Sequence, residues 1–224
     1  MKIKTAICAL TVSMIASVAN AEFRLGISGS MVMFDASGTE TLKSSSNKTS
    51  SGEVGETVFI PTIWAEYGHE DSGWTVGIDY VDATTFAGSK SGTRPDTDVD
   101  DSSDTSGTNT ASAELDSHTT YYLSKAFGEA QNFYVKAGWA QADIITTESL
   151  ATGTSYGDAT VDGVALGLGF QTRSNNNFIF RLEYLYTNYD DISLTGSADA
   201  DSVSNKVDAS LDSSTYKLSI GKAF

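Results

Sequence analysis

The sequence predicts an all-β fold: an eight-stranded antiparallel up-and-down β-barrel that crosses a membrane, preceded by an export signal. Three observations predict it. Eight segments alternate apolar and polar residues with period two, short and long connections alternate between them, and each segment has an aromatic on its apolar parity at the short-turn end. Period two marks a strand, because successive side chains leave it on opposite faces.

The chain begins Met1-Lys-Ile-Lys, continues as an apolar run from Thr5 to Val18, and reaches Ala19-Asn-Ala21. A basic start, an apolar stretch and an Ala-x-Ala site form a secretory signal peptide, so residues 1–21 are expected to be removed and 22–224 to form one domain. The apolar run is too short for a spanning helix. Cys8, the only cysteine, lies far from the cleavage site, which argues against a lipid anchor. The mature chain then needs neither disulfides nor thiolate metal sites. Without Lys2 and Lys4 it holds 12 basic and 29 acidic residues, a net charge of −17. That excludes nucleic acid as a partner, since phosphate binding needs a basic surface.

The first strand runs from Phe23 to about Asp35, with Phe23, Leu25, Ile27, Met31 and Met33 on one face. The second, about Thr57 to His69, sets Phe59, Ile63, Ala65 and Tyr67 opposite Thr62, Trp64 and Glu66. The third carries Trp74, Val76, Ile78 and Tyr80; the fourth carries Thr119, Tyr121, Leu123 and Phe127. The fifth shows Phe133, Val135, Ala137 and Trp139, and the sixth Val164, Leu166, Leu168 and Phe170. The seventh shows Phe178, Phe180, Leu182, Tyr184 and Tyr186. The last ends the chain with Tyr216, Leu218, Ile220 and Phe224 on one parity, Lys222 being its polar member. Each approaches the ~9–11 residues that a tilted strand needs to cross a bilayer.

Short turns follow strands two, four and six, at 68–73, 128–131 and 172–177. The other connections, roughly 38–56, 84–116, 143–160 and 188–212, are long and polar. This is the alternation of short periplasmic turns with longer extracellular loops. The aromatics at the short-turn ends are Phe23, Tyr67, Trp74, Phe127, Phe133, Phe170, Phe178 and Phe224. Phe59, Tyr80, Tyr121, Trp139, Tyr184 and Tyr216 sit six or eight residues further along the same faces. Two such rings are the girdles of a membrane barrel, about 15–20 Å apart here at ~3.3 Å per residue and ~40° tilt. A soluble β-sandwich or lipocalin-like barrel would bury the apolar parity and has no reason for a ring at every strand end.

With the aromatic parity facing lipid, the other parity lines the lumen. Small residues dominate it, alongside Arg24, Glu66, Asp79, Lys136, Arg181, Glu183 and Lys217. A barrel of this size is filled by side chains, and an unpaired buried ion costs several kcal/mol. A lumenal charge network is therefore expected, centred on Asp79, Lys136, Arg181, Glu183 and Lys217 near mid-height, with Arg24 and Glu66 lower. It reads as a plug, or alternatively as a gated ion path. Lys125 and Lys222 share the lipid-facing parity, each two residues before a terminal Phe in a repeated Lys-Ala-Phe. An interfacial lysine can turn its amine toward headgroups. Pro61 cannot donate a ladder bond, so a bulge or missing bond is expected there.

The four long connections carry −1, −5, −3 and −5 charges. The densest run, Asp96, Asp98, Asp100, Asp101 and Asp104, departs from the calcium-loop pattern, with Asp101 in place of Gly and Gly107 in place of Glu. It reads as a solvated loop, with divalent cations or surface ligands as conceivable partners. No cofactor or metal site is expected, and no motif for catalysis stands out. If there were a base, it would be His118, on the lumenal parity, with Asp116, Ser117 and Glu114 nearby in sequence; His69 lies at a turn.

The terminal strand Tyr216–Phe224, the ring of eight aromatics and the turn/loop alternation together resemble the OmpA/OmpX-like group of eight-stranded outer-membrane β-barrels. The resemblance covers essentially the whole mature chain. It implies the bacterial outer membrane as destination, lipids and lipopolysaccharide as surroundings, and recognition of the last strand by the barrel-assembly machinery. Lys222 stands where the group commonly has an aromatic or other apolar residue. The group includes anchors, adhesins, small channels and enzymes. The reading favoured is a non-enzymatic surface protein with acidic extracellular loops and a plugged lumen. The alternative is a narrow channel for small solutes like the OmpW-type barrels, which an apolar lumen would favour. A lipid A-modifying enzyme ranks behind both.

Overall fold

The computed structural model describes residues 21–42, 48–69, 71–82, 84–95, 106–128, 131–149, 155–197 and 205–224. The expected signal peptide, up to residue 20, and the aspartates 96–104 lie outside the described residues. All regular structure among the described residues is β-strand: β1 (Ala21–Leu42), β2 (Lys48–His69), β3 (Trp74–Val81), β4 (Thr84–Pro95), β5 (Ser106–Phe127), β6 (Phe133–Ser149), β7 (Ala159–Arg173), β8 (Phe178–Tyr189), β9 (Ile192–Thr195) and β10 (Lys206–Ala223).

Eight of these are barrel staves. Antiparallel pairing runs β1-β2-β3-β5-β6-β7-β8-β10, and β10 returns to β1 from Arg24↔Ala223 to Thr41↔Lys206. Phe224 N–H donates to Phe23 O at 2.9 Å, so the last residue is tied into the seam. Closing β10 on β1 pairs the two strands that would otherwise be the free edges of the sheet in lipid. β4 continues the wall beyond β3 by pairing with β5, and β9 pairs with the outer part of β10. The short turns are tight: Gly73, at φ +67°, donates its N–H to His69 O at 2.9 Å. A residue with a Cβ is strained in that left-handed region.

The strands overrun the predicted boundaries. β1 and β2 are 22 residues each and stay paired to Leu42↔Lys48, well into the connection expected at 38–56. Hydroxyl pairs bridge this extension, Ser37 to Ser210 at 2.8 Å and Thr39 to Ser51 at 3.0 Å. Above the membrane both faces of a strand meet water, so the apolar/polar contrast that reveals strands vanishes while the ladder continues. At Pro61 the β1–β2 register runs on without a bulge, and Pro61 lies just past the last β2–β3 pair, Ile63↔Tyr80. Proline is tolerated on such a one-sided stretch. Register shifts fall instead between Leu115 and Ser117 on β5 and between Thr84 and Lys90 on β4.

The apolar parity faces outward. Leu25, Ile27, Ile63, Leu166, Leu182 and Leu218 are 44–66 % exposed. A contiguous apolar wall of this kind is untenable in water and required in lipid. The short-turn ring brackets its lower rim, with Phe23 and Phe224 at 6.4 Å and Phe127 and Phe133 at 6.4 Å between centroids. The outer ring shows Tyr121 stacked on Trp139 at 5.7 Å and Tyr184 beside Tyr216 at 5.2 Å. The buried interior is the lumen, and it has two zones. Near the short turns it is charged; beyond, it is filled by an apolar collar that includes Val32, Phe34, Ile60, Val81, Leu115 and Leu211. The sequence reading expected small residues and charges there, not this collar.

Candidate functional site: the lumenal charge network

Glycines make room for the large rings of the lower lumen. Gly26 is the register partner of Trp64, Gly77 of Tyr122 and Gly169 of Tyr134. In each pair a Cβ on the glycine would overlap the ring, and Trp64 also covers Gly221 on β10. Rings laid over cross-strand glycines fill the barrel; the Tyr122 and Tyr134 hydroxyls reach lumenal carboxylates, while Trp64 Nε1 donates to the Ile27 carbonyl at 3.4 Å.

The two hydroxyls belong to two linked ion clusters. In the upper one, Lys217 Nζ lies 2.6 Å from Asp79 Oδ2 and 3.6 Å from Glu183 Oε1. Lys136 Nζ lies 2.7 Å from Glu183 Oε2 and 3.6 Å from Asp79 Oδ2. Two lysines and two carboxylates thus alternate in a closed quartet supplied by β3, β6, β8 and β10. The Tyr134 hydroxyl donates to Glu183 Oε2 at 2.8 Å, and Lys136 Nζ sits 3.8 Å above the Tyr122 ring.

In the lower cluster, the Arg181 guanidinium grips Glu66 with both Nη atoms, at 2.5 and 2.6 Å. The Tyr122 hydroxyl donates to the same carboxylate at 2.7 Å, and Arg181 lies 4.6 Å over the Trp64 ring. Arg24 Nη1 approaches Glu66 at 3.9 Å while its Nε meets Glu22 at 2.5 Å. Glu22 also takes Arg173 Nη1 at 2.9 Å, carrying the chain of ion pairs to the short-turn mouth. Side chains of the quartet and of the Arg181–Glu66 pair are 1–7 % exposed. A planar fork on a carboxylate with remaining lone pairs satisfied is the arrangement that offsets desolvation of buried ions.

Of the five residues expected to form one network, Asp79, Lys136, Glu183 and Lys217 come together. Arg181 instead takes Glu66, which had been set apart as a lower residue, and Glu22 joins below. Strands in a barrel are tilted and staggered, so counting residues from the turns misjudges which side chains meet across the lumen. Trp64 stands on the inner parity of the second strand, and Tyr122 and Tyr134 share that parity on theirs; the signal of all three is a large ring opposite a glycine.

Between quartet and collar lies a cavity of about 50 Å³ whose lining joins hydroxyls such as Ser30, Thr62 and Thr120 to collar side chains such as Val32, Ile60 and Leu115. It has room for about three waters. The Ser30 hydroxyl is buried there without a hydrogen-bond partner. His118 lines the same cavity, its Nε2 3.0 Å from the Tyr189 hydroxyl. Ser117 donates instead to Asp143, at 2.9 Å, and Thr160 donates to the same carboxylate at 2.7 Å. Serine and histidine therefore point to opposite faces and form no nucleophile–base pair. Among the described residues no group of three or more His, Cys, Asp or Glu side chains is placed to hold a metal.

No protein-family model and no curated protein sequence matches the chain. Solved structures do. The outer membrane protein OprG from Pseudomonas aeruginosa superimposes with a TM-score of 0.58 at 18 % identity, over 92 % of this chain and 97 % of its own. The fold is that of the eight-stranded outer-membrane β-barrels. The outer membrane protease OmpT from Escherichia coli follows with a TM-score of 0.50 at 7 % identity, over 92 % and 98 % of the two chains. Neisserial surface protein A gives 0.47 at 12 % identity, over 91 % and 99 %. Likeness at these identities concerns the barrel and leaves its work to be argued from the lumen and the outer strands.

Proposed function

We propose that the mature chain, residues 22–224, is a non-enzymatic protein of the bacterial outer membrane whose lumen is plugged and whose outward strands and acidic loops act at the cell surface. The observation that carries this reading is the unbroken series of ion pairs from Arg173 through Glu22, Arg24, Glu66 and Arg181, backed by the quartet above it. Opening a path would separate buried charges, at several kcal/mol each. In this setting the neighbours are lipids and lipopolysaccharide, and the last strand is what the barrel-assembly machinery would engage. The acidic surface suits cations or basic ligands and excludes nucleic acid.

A second reading is favoured by one feature, the apolar collar beyond the quartet. A narrow channel for small solutes would use such a collar as its outer vestibule, with the ion clusters as a gate. Conductance in planar bilayers separates the two. The plugged reading expects no steady steps from the wild-type protein and leak from a Lys136→Met, Lys217→Met pair. Regular steps from the wild type would replace it with the channel. The fold is shared with a protease, so hydrolysis of peptide and lipopolysaccharide substrates should be assayed with His118→Ala as control. Wild-type turnover lost in that variant would overturn the non-enzymatic reading.

A further inference from the structure

The repeated Lys-Ala-Phe endings of β5 and β10 place a lysine in the lipid-facing wall, where the barrel has no use for a charge. Lys125 lies between Leu123 and Phe127 on its parity, and Lys222 between Ile220 and Phe224. Neither ammonium stays in the apolar band. Lys222 Nζ is carried to 5.6 Å from the Phe224 ring and 5.7 Å from the Phe178 ring. Lys125 Nζ lies 5.3 Å from the Trp74 ring and donates to the Ser72 carbonyl in the β2–β3 turn. These distances are within cation–π range, and the rings belong to the short-turn girdle. Beside Lys222 the exposed turn Ser174–Asn177 offers hydroxyl and amide groups. Four stave-to-stave steps separate β10 from β5, so the two lysines stand on opposite sides of the barrel.

We propose that Lys222, and Lys125 as its counterpart, bind the phosphate of anionic phospholipids in the leaflet at the short-turn end. An ammonium held at girdle level by aromatic faces meets the phosphate layer and no other abundant anion of a bilayer. Naming that leaflet periplasmic rests on the outer-membrane reading above; the binding itself does not.

The test uses the mature protein refolded into nanodiscs of equimolar phosphatidylcholine and phosphatidylglycerol, then released into detergent for native mass spectrometry. Heat-modifiable mobility on gels establishes, separately, that each sample is a folded barrel. The wild type should retain phosphatidylglycerol over phosphatidylcholine, and Lys222→Gln and Lys125→Gln should each lower that preference about fivefold. Lys222→Arg should keep it, and Lys206→Gln, at the outer end of β10, should not change it. Inorganic phosphate should not displace the lipid. Equal retention of both lipids by the folded wild type, an unchanged preference in the folded double variant, or displacement by free phosphate would overturn the proposal. Failure of the wild type to fold into nanodiscs would instead overturn the membrane-barrel reading.

Discussion

Replacing Glu66 by glutamine removes the one carboxylate that Arg181 holds with both Nη atoms, at 2.5 and 2.6 Å. The side chains are 1 % and 6 % exposed, so solvent cannot take over the role. Glutamine keeps an acceptor for the Tyr122 hydroxyl but turns an NH₂ group toward the guanidinium, leaving a buried cation short of its partner. Breaking such a pair costs about 3–5 kcal/mol. Removing both charges, as Glu66→Gln with Arg181→Met, should recover most of that loss, because a buried pair is of small net benefit against apolar residues. The expected coupling is about 2–3 kcal/mol. Reversible urea unfolding in lipid vesicles, followed by tryptophan fluorescence, supplies all four stabilities of the cycle. A single-variant cost below about 1 kcal/mol, the level of a solvent-exposed pair, would refute the reasoning. So would a double variant no more stable than the worse single one.

Three further outcomes follow from other parts of the barrel. Gly26→Leu should drive a side chain into the Trp64 ring and the Ile220 carbonyl, costing at least about 1–3 kcal/mol and seen as loss of the heat-modifiable band. Leu182→Arg, on the lipid face, should cost about 2–4 kcal/mol in bilayers, whereas Thr39→Arg, in the outer extension of β1, should leave stability nearly unchanged. Asp143, four residues beyond the outer girdle residue Trp139, is held below the usual carboxylate range by hydrogen bonds from Thr160 and Ser117. A depressed folded-state value adds stability that is present above the unfolded pKa and lost as pH falls through the folded one. Carbon-13 carboxyl NMR should therefore show Asp143 titrating at lower pH than in Thr160→Val or Ser117→Ala, and equal midpoints would contradict the assignment.

What was legible in the sequence is what lipid imposes on it. Between the girdles one face must be apolar and the other must fill a narrow lumen, so parity alone located the eight staves and the outward rings of Phe23 to Phe224. The outer extensions escaped that reading: at Ser37, Thr39 and Ser210 water lies on both sides, and a paired strand has the composition of a loop. The charged residues of the lumen were legible as a set but not as pairs. Arg181 meets Glu66 because of the stagger between β8 and β2, which no count along one strand reveals. The collar was hidden for a related reason. Val32 and Phe34 continue the inner parity of Ser28 and Ser30, yet apolar residues near a predicted strand end suggest nothing about what the lumen holds there.

The absence of cysteine from residues 22–224 gives the most direct test of a membrane barrel with a plugged lumen, since any introduced thiol is unique. Along β10, Thr215→Cys and Ser219→Cys occupy the inner parity, Leu218→Cys and Ile220→Cys the outer one. A charged, membrane-impermeant thiol reagent should modify none of the four in the folded protein, and a bilayer-soluble quencher should reach labels at 218 and 220 alone. Rapid modification of 215 and 219 by the charged reagent would show an open aqueous lumen. Loss of the alternation between 218, 220 and their neighbours would contradict the barrel itself.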